Sequence, residues 1–390
     1  MIPYEEFSFF IYLLIPLLPA VIMGFSGVPG RVRSGWVLLS TMGMLLWIMQ
    51  PYHVLLQVFG FYGFSWVVIR AYLAYRRAEE RKNKAWVFYL AVIVSILPLG
   101  LVKLNPIFAA AGVLNSPIGF LGISYLTFRA VGTVIEIRDG LIKELPFFNF
   151  ISFMLFFPTL ASGPIDRYRR FQADLDKVLT RREYATLAVN GFDHIFRGFL
   201  YKFIVAYLIN RYGLVPLGQA YGFIPTLKYM YVYSFYLFFD FAGYSSFAIG
   251  VSLLLGIQTP ENFNRPFLSK NIKDFWNRWH MSLSFWFRDY IYMRFVLDSA
   301  KKKRFKNRYT SAYIGYFLLF GIMGIWHGTQ LQYIAYGFYH AVLMIGFDLL
   351  QRQNKKHKFW GQGRIWDTSA IFVTIHFVMF GFLIFSGRLF

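Results

Sequence analysis

From Trp36 to Ile69 the chain carries no Asp, Glu, Lys or Arg. A run of that kind fits a bilayer, whose hydrocarbon core of about 30 Å takes roughly 20 helical residues to cross. It is too long for one straight crossing, and Pro51, Tyr52 and His53 divide it into two. Phe7–Phe25, Trp86–Val102, Tyr309–Trp326, Leu331–Leu350 and Trp366–Phe385 are further apolar stretches of similar reach. Lipid cannot satisfy open backbone groups, so a spanning segment is either a helix or part of a closed barrel. Barrel strands alternate apolar and polar residues, and these runs do not. The expected fold is all-α: a polytopic integral membrane protein with about 11 transmembrane helices, plus re-entrant or interfacial helices around a central cavity. No internal repeat is visible, so residues 1–390 are expected to form one membrane domain.

Composition agrees. Apolar residues make up 57% of the chain and charged residues only 15%, against about 45–50% and about 25% in soluble domains. The net charge of +21 would point to nucleic acid in a soluble protein. Here the basic residues lie between apolar runs, where they hold loops in the cytoplasm and touch anionic headgroups. Arg31 and Arg33, then Arg76–Lys84, place two loops on the same side and the N-terminus outside. Met1–Glu6 lacks a basic n-region, so the first apolar run reads as a retained span. There is no cysteine, which leaves acid–base chemistry, a hydroxyl nucleophile or an external thioester.

Several segments depart from simple crossings. Ser116–Ile135 carries Arg129. Phe147–Leu160 is short and runs into Ala161-Ser162-Gly163-Pro164, the mark of a broken or re-entrant segment, tolerated at depth only inside protein or along a cavity. Asp166–Arg182 is basic and is expected at the interface. Ala188–Ile209 and Tyr229–Leu255 are largely apolar but contain Lys202 and Asp240. Pro260–Asn271 reads as a loop, and Ile272–Val296 mixes aromatic residues with charges at helical spacing, as in helices packed inside the protein or lying in the interface.

Two histidines stand out. His280 follows Trp276 by four residues, so the two should share a helix face, with Ser282 and Ser284 nearby. His327 follows Trp326, and Gly321, Gly324 and Gly328 around it would let a backbone or a substrate approach. An ionisable group at membrane depth is a functional candidate by default, and histidine, with an ordinary pKa of about 6.5, suits general-base work. The alternative for each is a histidine that only bonds a neighbouring helix. His194, His340 and His376 read as helix–helix hydrogen bonders. Asp240, among phenylalanines, could orient a histidine or a substrate amine, or be a structural partner of Arg129 or Lys202. No metal-ligand spacing, nucleophile elbow, P-loop or Rossmann fingerprint is present.

Asn262-Phe263-Asn264-Arg265-Pro266-Phe267, followed by Asp274-Phe275-Trp276-Asn277-Arg278-Trp279-His280-Met281-Ser282-Leu283-Ser284 and Trp286-Phe287-Arg288-Asp289-Tyr290, most strongly resembles the membrane-bound O-acyltransferase (MBOAT) superfamily; Phe239-Asp240-Phe241-Ala242-Gly243-Tyr244 and Trp326-His327-Gly328 also fit it, in the right order along the chain. Phe156–Phe171 and Arg288–Phe295 resemble the branch that transfers D-alanine to teichoic acids. The sister branch, which O-acetylates alginate and related polysaccharides, has Ile-Pro-Leu-Gly-Gly where this chain has Met293-Arg294-Phe295-Val296.

The resemblance implies a multi-pass plasma-membrane protein of a Gram-positive bacterium. Its donor would be a D-alanyl thioester on the phosphopantetheine of a cytosolic D-alanyl carrier protein, with no cofactor or metal bound by the chain itself. Lipoteichoic acid would be the acceptor, and a membrane-anchored accessory D-alanyl transfer protein a further partner. His327 and His280 match the family's catalytic positions; Asp240, Trp276, Trp279, Ser282 and Trp326 are the expected substrate-binding residues. A polysaccharide O-acetyltransferase and a non-enzymatic lipid or polysaccharide translocator remain the alternatives.

Overall fold

The computed structural model describes residues 2–78, 83–110, 119–218 and 220–390, without the side chains of 106–110 and Arg308. The middle of the basic loop Arg76–Lys84 and the start of the expected crossing at Ser116 therefore lie outside the described residues. Among the described residues, seven helices are long and apolar enough to cross a membrane: Phe7–Ser26, Tyr52–Ala78, Ala85–Asn105, Phe223–Leu254, Tyr309–His327, Leu331–His357 and Arg364–Phe385. The remaining expected crossings fall on helices that are shorter or more polar. The chain divides into two compact units, Met1–Gly198 with Tyr244–Pro260, and Phe199–Gly243 with Glu261–Phe390.

The first unit holds α1 (Phe7–Ser26), α2 (Gly30–Ile48), α3 (Tyr52–Ala78), α4 (Ala85–Ala110), α5 (Ile123–Arg138), α6 (Phe147–Leu155), α7 (Tyr168–Asp176) and α8 (Arg181–Gly198). Gly27, at φ 65°, ends α1 and returns its N–H to the Met23 carbonyl, a left-handed stop that glycine adopts without a Cβ penalty. The uncharged run from Trp36 breaks where Pro51 stands, between α2 and α3.

Arg129 explains why α6 can be so short. Helix ends leave carbonyls without intrahelical partners, and a buried end needs donors. Arg129, buried on α5, supplies them to the carbonyls of Phe153 (2.8 Å), Met154 (2.7 Å) and Thr159 (2.8 Å), and to the Thr159 hydroxyl (2.6 Å). The break in this segment, residues 153–160, is thus buried within protein. Arg33 departs from its expected place in a solvated loop: it is buried and donates to the carbonyls of Gly256 (2.8 Å), Asp174 (2.6 Å) and Lys177 (2.6 Å).

The second unit begins with a π-helical segment, Phe199–Ala206, then α9 (Tyr207–Ile209), a second π-helical segment (Asn210–Leu214) and α10 (Val215–Leu217). Next comes α11 (Phe223–Leu254), whose residues from Tyr244 onward belong to the first unit. After an irregular stretch follow α12 (Ile272–Trp276), α13 (Met281–Phe287), a π-helical turn (Arg288–Tyr292), α14 (Met293–Lys301), α15 (Arg308–His327), α16 (Leu331–His357) and α17 (Arg364–Phe385).

Helices α15 and α16 form a tight antiparallel hairpin through two glycines. A Cβ on Gly324 would sit 2.6 Å from the Tyr333 carbonyl oxygen, and one on Gly337 would enter the Phe320 carbonyl oxygen. Small residues permit this approach. Gly321 differs: nothing lies within 4 Å of its would-be Cβ.

Candidate active site

Trp276 and His280 do not share a helix face. Helix α12 stops at Trp276, and His280 takes up φ 43°, ψ 53° as the residue before α13. Pairing with an upstream strand-like segment outcompetes helix continuation. Phe263 and Trp279 form an antiparallel bridge; Asn264 donates its N–H to the Arg278 carbonyl (3.0 Å), and Met281 donates to that of Asn262 (2.9 Å). Asn271 caps α12 by accepting the Asp274 N–H at 2.9 Å, and Arg278 returns to Asp274 at 2.7 Å. A non-glycine residue in the left-handed region carries a backbone penalty of about 1–3 kcal/mol and persists only where its surroundings over-determine it. The bridge does so here and aims the imidazole.

The two histidines meet in one cavity of about 70 Å³. Helix α11 contributes Leu237 and Phe241; the broken segment contributes Trp276, Trp279, His280 and Leu283; α15 contributes Met323 and His327; α16 contributes Tyr336; α17 contributes Phe382 and Phe385. His327 is the last residue of α15 and is followed by extended Gly328. Its ring meets Phe385 edge-on at 5.0 Å, and Phe241 meets the His280 ring edge-on at 4.7 Å. His280 is buried, and its Nε2 has no hydrogen-bond partner among the described residues.

A larger cavity, about 190 Å³, adjoins this one. Trp276 and Met323 line both. Its other walls include Lys273, Arg288, Tyr292 and Tyr316, so it is the more basic of the two. The basic Lys301–Arg308 stretch leads into α15, along which come the larger cavity at Tyr316–Met323 and then His327. From Tyr316 to His327 the helix rises roughly 16 Å at about 1.5 Å per residue.

Of the expected substrate-binding residues, Trp276 and Trp279 line the histidine cavity, whereas Asp240, Ser282 and Trp326 do not. Asp240 pairs with Lys202 at 2.6 Å. Ser282 donates to the Asn262 side-chain oxygen at 2.6 Å, so it secures the bridge. Trp326 stacks edge-on with His327 at 4.6 Å, away from the lining. His340 also corrects its expectation as a helix–helix hydrogen bonder. It is fully buried, yet neither ring nitrogen has a hydrogen-bond partner among the described residues. It packs instead on Trp276 (5.0 Å) and Tyr336 (4.5 Å), while Gly381 leaves it room. His376 bonds the Phe372 carbonyl of its own helix. Tyr336, Phe382 and Phe385 line the cavity without any signal in the sequence, where they look like ordinary apolar residues; Phe241 also lines it and had only its place in the Phe239–Tyr244 stretch to mark it. Among the described residues no group of three or more metal-ligating side chains comes together.

The model of the MBOAT, membrane-bound O-acyltransferase family matches residues 123–388. The chain belongs to that family. As a membrane-bound O-acyltransferase it also has full-length relatives. A teichoic acid D-alanyltransferase of Bacillus subtilis (strain 168) is 51% identical over 100% of this chain and 98% of its own length. One from Lacticaseibacillus rhamnosus is 45% identical over 99% and 97%. A probable alginate O-acetylase AlgI of Pseudomonas aeruginosa is 28% identical over 85% of this chain and 64% of its own length. The family match takes in residues of both units, and this O-acyltransferase is a multi-pass membrane protein.

Proposed function

We propose that this O-acyltransferase moves D-alanine from a carrier-protein thioester across the plasma membrane of a Gram-positive bacterium toward hydroxyls of lipoteichoic acid. The observation that carries the reading is the single cavity shared by His280 and His327, in a chain alignable end to end with D-alanyltransferases. The lower identity and partial coverage of the alginate relatives weigh against the acetyl-transfer alternative.

His327 is the general base. One ring nitrogen takes the proton of the acceptor hydroxyl as its oxygen attacks the thioester carbonyl carbon. The carbon–sulfur bond then breaks, and the proton goes to the departing thiolate. A thioester is already activated, so no covalent enzyme intermediate is required. His280, whose Nε2 is unpartnered among the described residues, donates to the developing oxyanion or orients the acceptor. Such preorganised donors act most strongly where water is excluded.

The chain itself binds no cofactor; the phosphopantetheine belongs to the carrier. The larger cavity takes that arm; Lys273, paired with Asp348 at 3.2 Å, and Arg288, paired with Asp289 at 2.9 Å, are its basic residues and would share their charge with the arm's phosphate. The acidic carrier docks on a basic stretch, for which Lys301–Arg308 and Arg76–Lys84 are the two candidates in the sequence, and a membrane-anchored accessory protein assists on the acceptor side. The two units act as one membrane domain.

The test supplies membranes containing the full chain with labelled D-alanyl carrier. His327→Ala should lower label transfer to lipoteichoic acid by about 10²–10⁴-fold, the usual worth of general-base assistance. Full activity in that variant sinks the catalytic reading. Label from an acetyl donor but none from D-alanine moves the protein to the polysaccharide O-acetylating branch.

A further inference from the structure

The D-alanyl group brings a positive charge into the site. Its ammonium nitrogen is two bonds from the thioester carbonyl carbon. A cavity that holds the carbonyl beside His280 and His327 therefore holds the ammonium as well. A buried ammonium without compensation is strongly unfavourable, so something in the wall must answer it.

Among the described residues, no carboxylate does. None of the residues lining the 70 Å³ cavity is Asp or Glu. Asp240 stands on α11, which supplies Leu237 and Phe241 to the lining, but it is not itself part of the lining and is engaged by Lys202. The two imidazoles would repel a cation if protonated.

What the wall offers is aromatic. Trp276, Trp279, Tyr336, Phe241, Phe382 and Phe385 enclose the space. The face of a tryptophan is the strongest of the natural cation–π partners. His340 backs two of these rings, meeting Trp276 at 83° and Tyr336 at 70°; Trp279 is set against Phe382 at 4.7 Å. A second feature has the same sign. His327 closes the 20-residue helix α15, so the negative pole of that helix dipole lies at the cavity, where cations are favoured.

We propose that this cavity is an ammonium site, in which Trp276 and Trp279 together with the C-terminal pole of α15 recognise the D-alanyl amine without an ion pair. The two tryptophans then set acyl specificity, favouring D-alanyl over an uncharged acyl group of the same carbon skeleton. The inference rests on the D-alanyl reading given above.

The test uses the full chain in proteoliposomes containing lipoteichoic acid. The carrier is loaded with either D-alanyl or propionyl thioester, which differ in the amine, and kcat/KM is measured for each. The wild-type protein should prefer D-alanyl. Trp276→Leu and Trp279→Leu should each lower the D-alanyl-to-propionyl ratio by roughly 3- to 30-fold, in keeping with a desolvated cation–π contact. Trp276→Phe should retain most of the ratio. Because the readout is a ratio, loss of folded protein does not imitate the effect. An unchanged ratio in both leucine variants overturns the ammonium site, as does a wild type that uses both donors equally well. A wild type that transfers only uncharged acyl groups overturns the D-alanyl reading itself.

Discussion

Lys202 and Asp240 form an ion pair, Nζ to Oδ1 at 2.6 Å, that ties the π-helical segment Phe199–Ala206 to α11. The helices are close enough there that a Cβ on Gly243 would lie 2.8 Å from the Lys202 backbone nitrogen.

The pair gives Asp240 a structural partner. Its lysine side chain is 5% exposed and its carboxylate 36%. Breaking a fully buried pair by removing one partner costs about 3–5 kcal/mol; with one partner a third exposed, Lys202→Met should destabilise by about 1–3 kcal/mol. Removing both partners, as Lys202→Met with Asp240→Asn, should recover much of that loss, measured as Tm in detergent. If Asp240→Asn alone abolishes acyl transfer at unchanged Tm, the carboxylate touches substrate after all.

The α15–α16 hairpin should tolerate no side chain at its contact point. Gly337→Ala drives a methyl group into the Phe320 carbonyl, and such overpacking typically costs about 1–3 kcal/mol. Because His327 ends α15 and Tyr336 stands on α16, activity should fall further than stability alone explains. Gly321→Ala is the control: its Cβ meets nothing within 4 Å, and it should be neutral or slightly stabilising. Equal Tm and activity for the two variants would refute the close-contact argument.

Arg129 should resist conservative replacement. Its planar fork reaches three carbonyls and a hydroxyl at once, which a lysine ammonium cannot match. Bonds to a charged donor are worth about 1.5–3 kcal/mol each, so Arg129→Lys should lose at least about 2 kcal/mol and Arg129→Met more. Protease cleavage within 147–164 is the sensitive readout, and unaltered protection in Arg129→Met would contradict the assignment.

The start of α8 should respond to acid. Thr180 donates both its N–H (2.9 Å) and its hydroxyl (2.8 Å) to Glu183, which donates its own N–H back at 3.3 Å, a capping box. The Thr180 backbone N–H first, then Lys177 and the Thr180 hydroxyl, hold the Glu183 carboxyl down at about 2 from an ordinary 4.5. A folded-state pKa below the unfolded one means that the stabilisation is complete above about 4.5 and fades as pH falls toward about 2. Hydrogen exchange of the first turn of α8 should therefore be faster in Glu183→Gln than in the wild type at pH 7. The two should converge as pH approaches 2; a difference that is constant across this range would count against the box.

Much of this protein was legible in its residues alone. Uncharged runs such as Trp36–Ile69 fix helices in lipid because no other single-chain element satisfies its own backbone there, and the break at Pro51 follows from local geometry. The short apolar run ending at Gly163-Pro164 and the charged segment around Trp276 were recognisable as something other than plain crossings for the same reason. His280 and His327 were nameable because an imidazole among apolar residues needs a reason to be there.

Tertiary structure decided the rest. Helical spacing would put Trp276 and His280 on one face, but backbone pairing with Asn262–Asn264 stops the helix and turns His280 into the left-handed region. Asp240, Ser282 and Trp326 have the right chemistry for a site, yet Lys202, Asn262 and the packing of α15 claim them. Tyr336 and Phe385 gave no hint of their place in the wall. Apolar residues that face lipid and those that line a cavity obey the same local rules. Only the way the helices meet separates them, because which side of a helix is enclosed depends on residues far away in the chain.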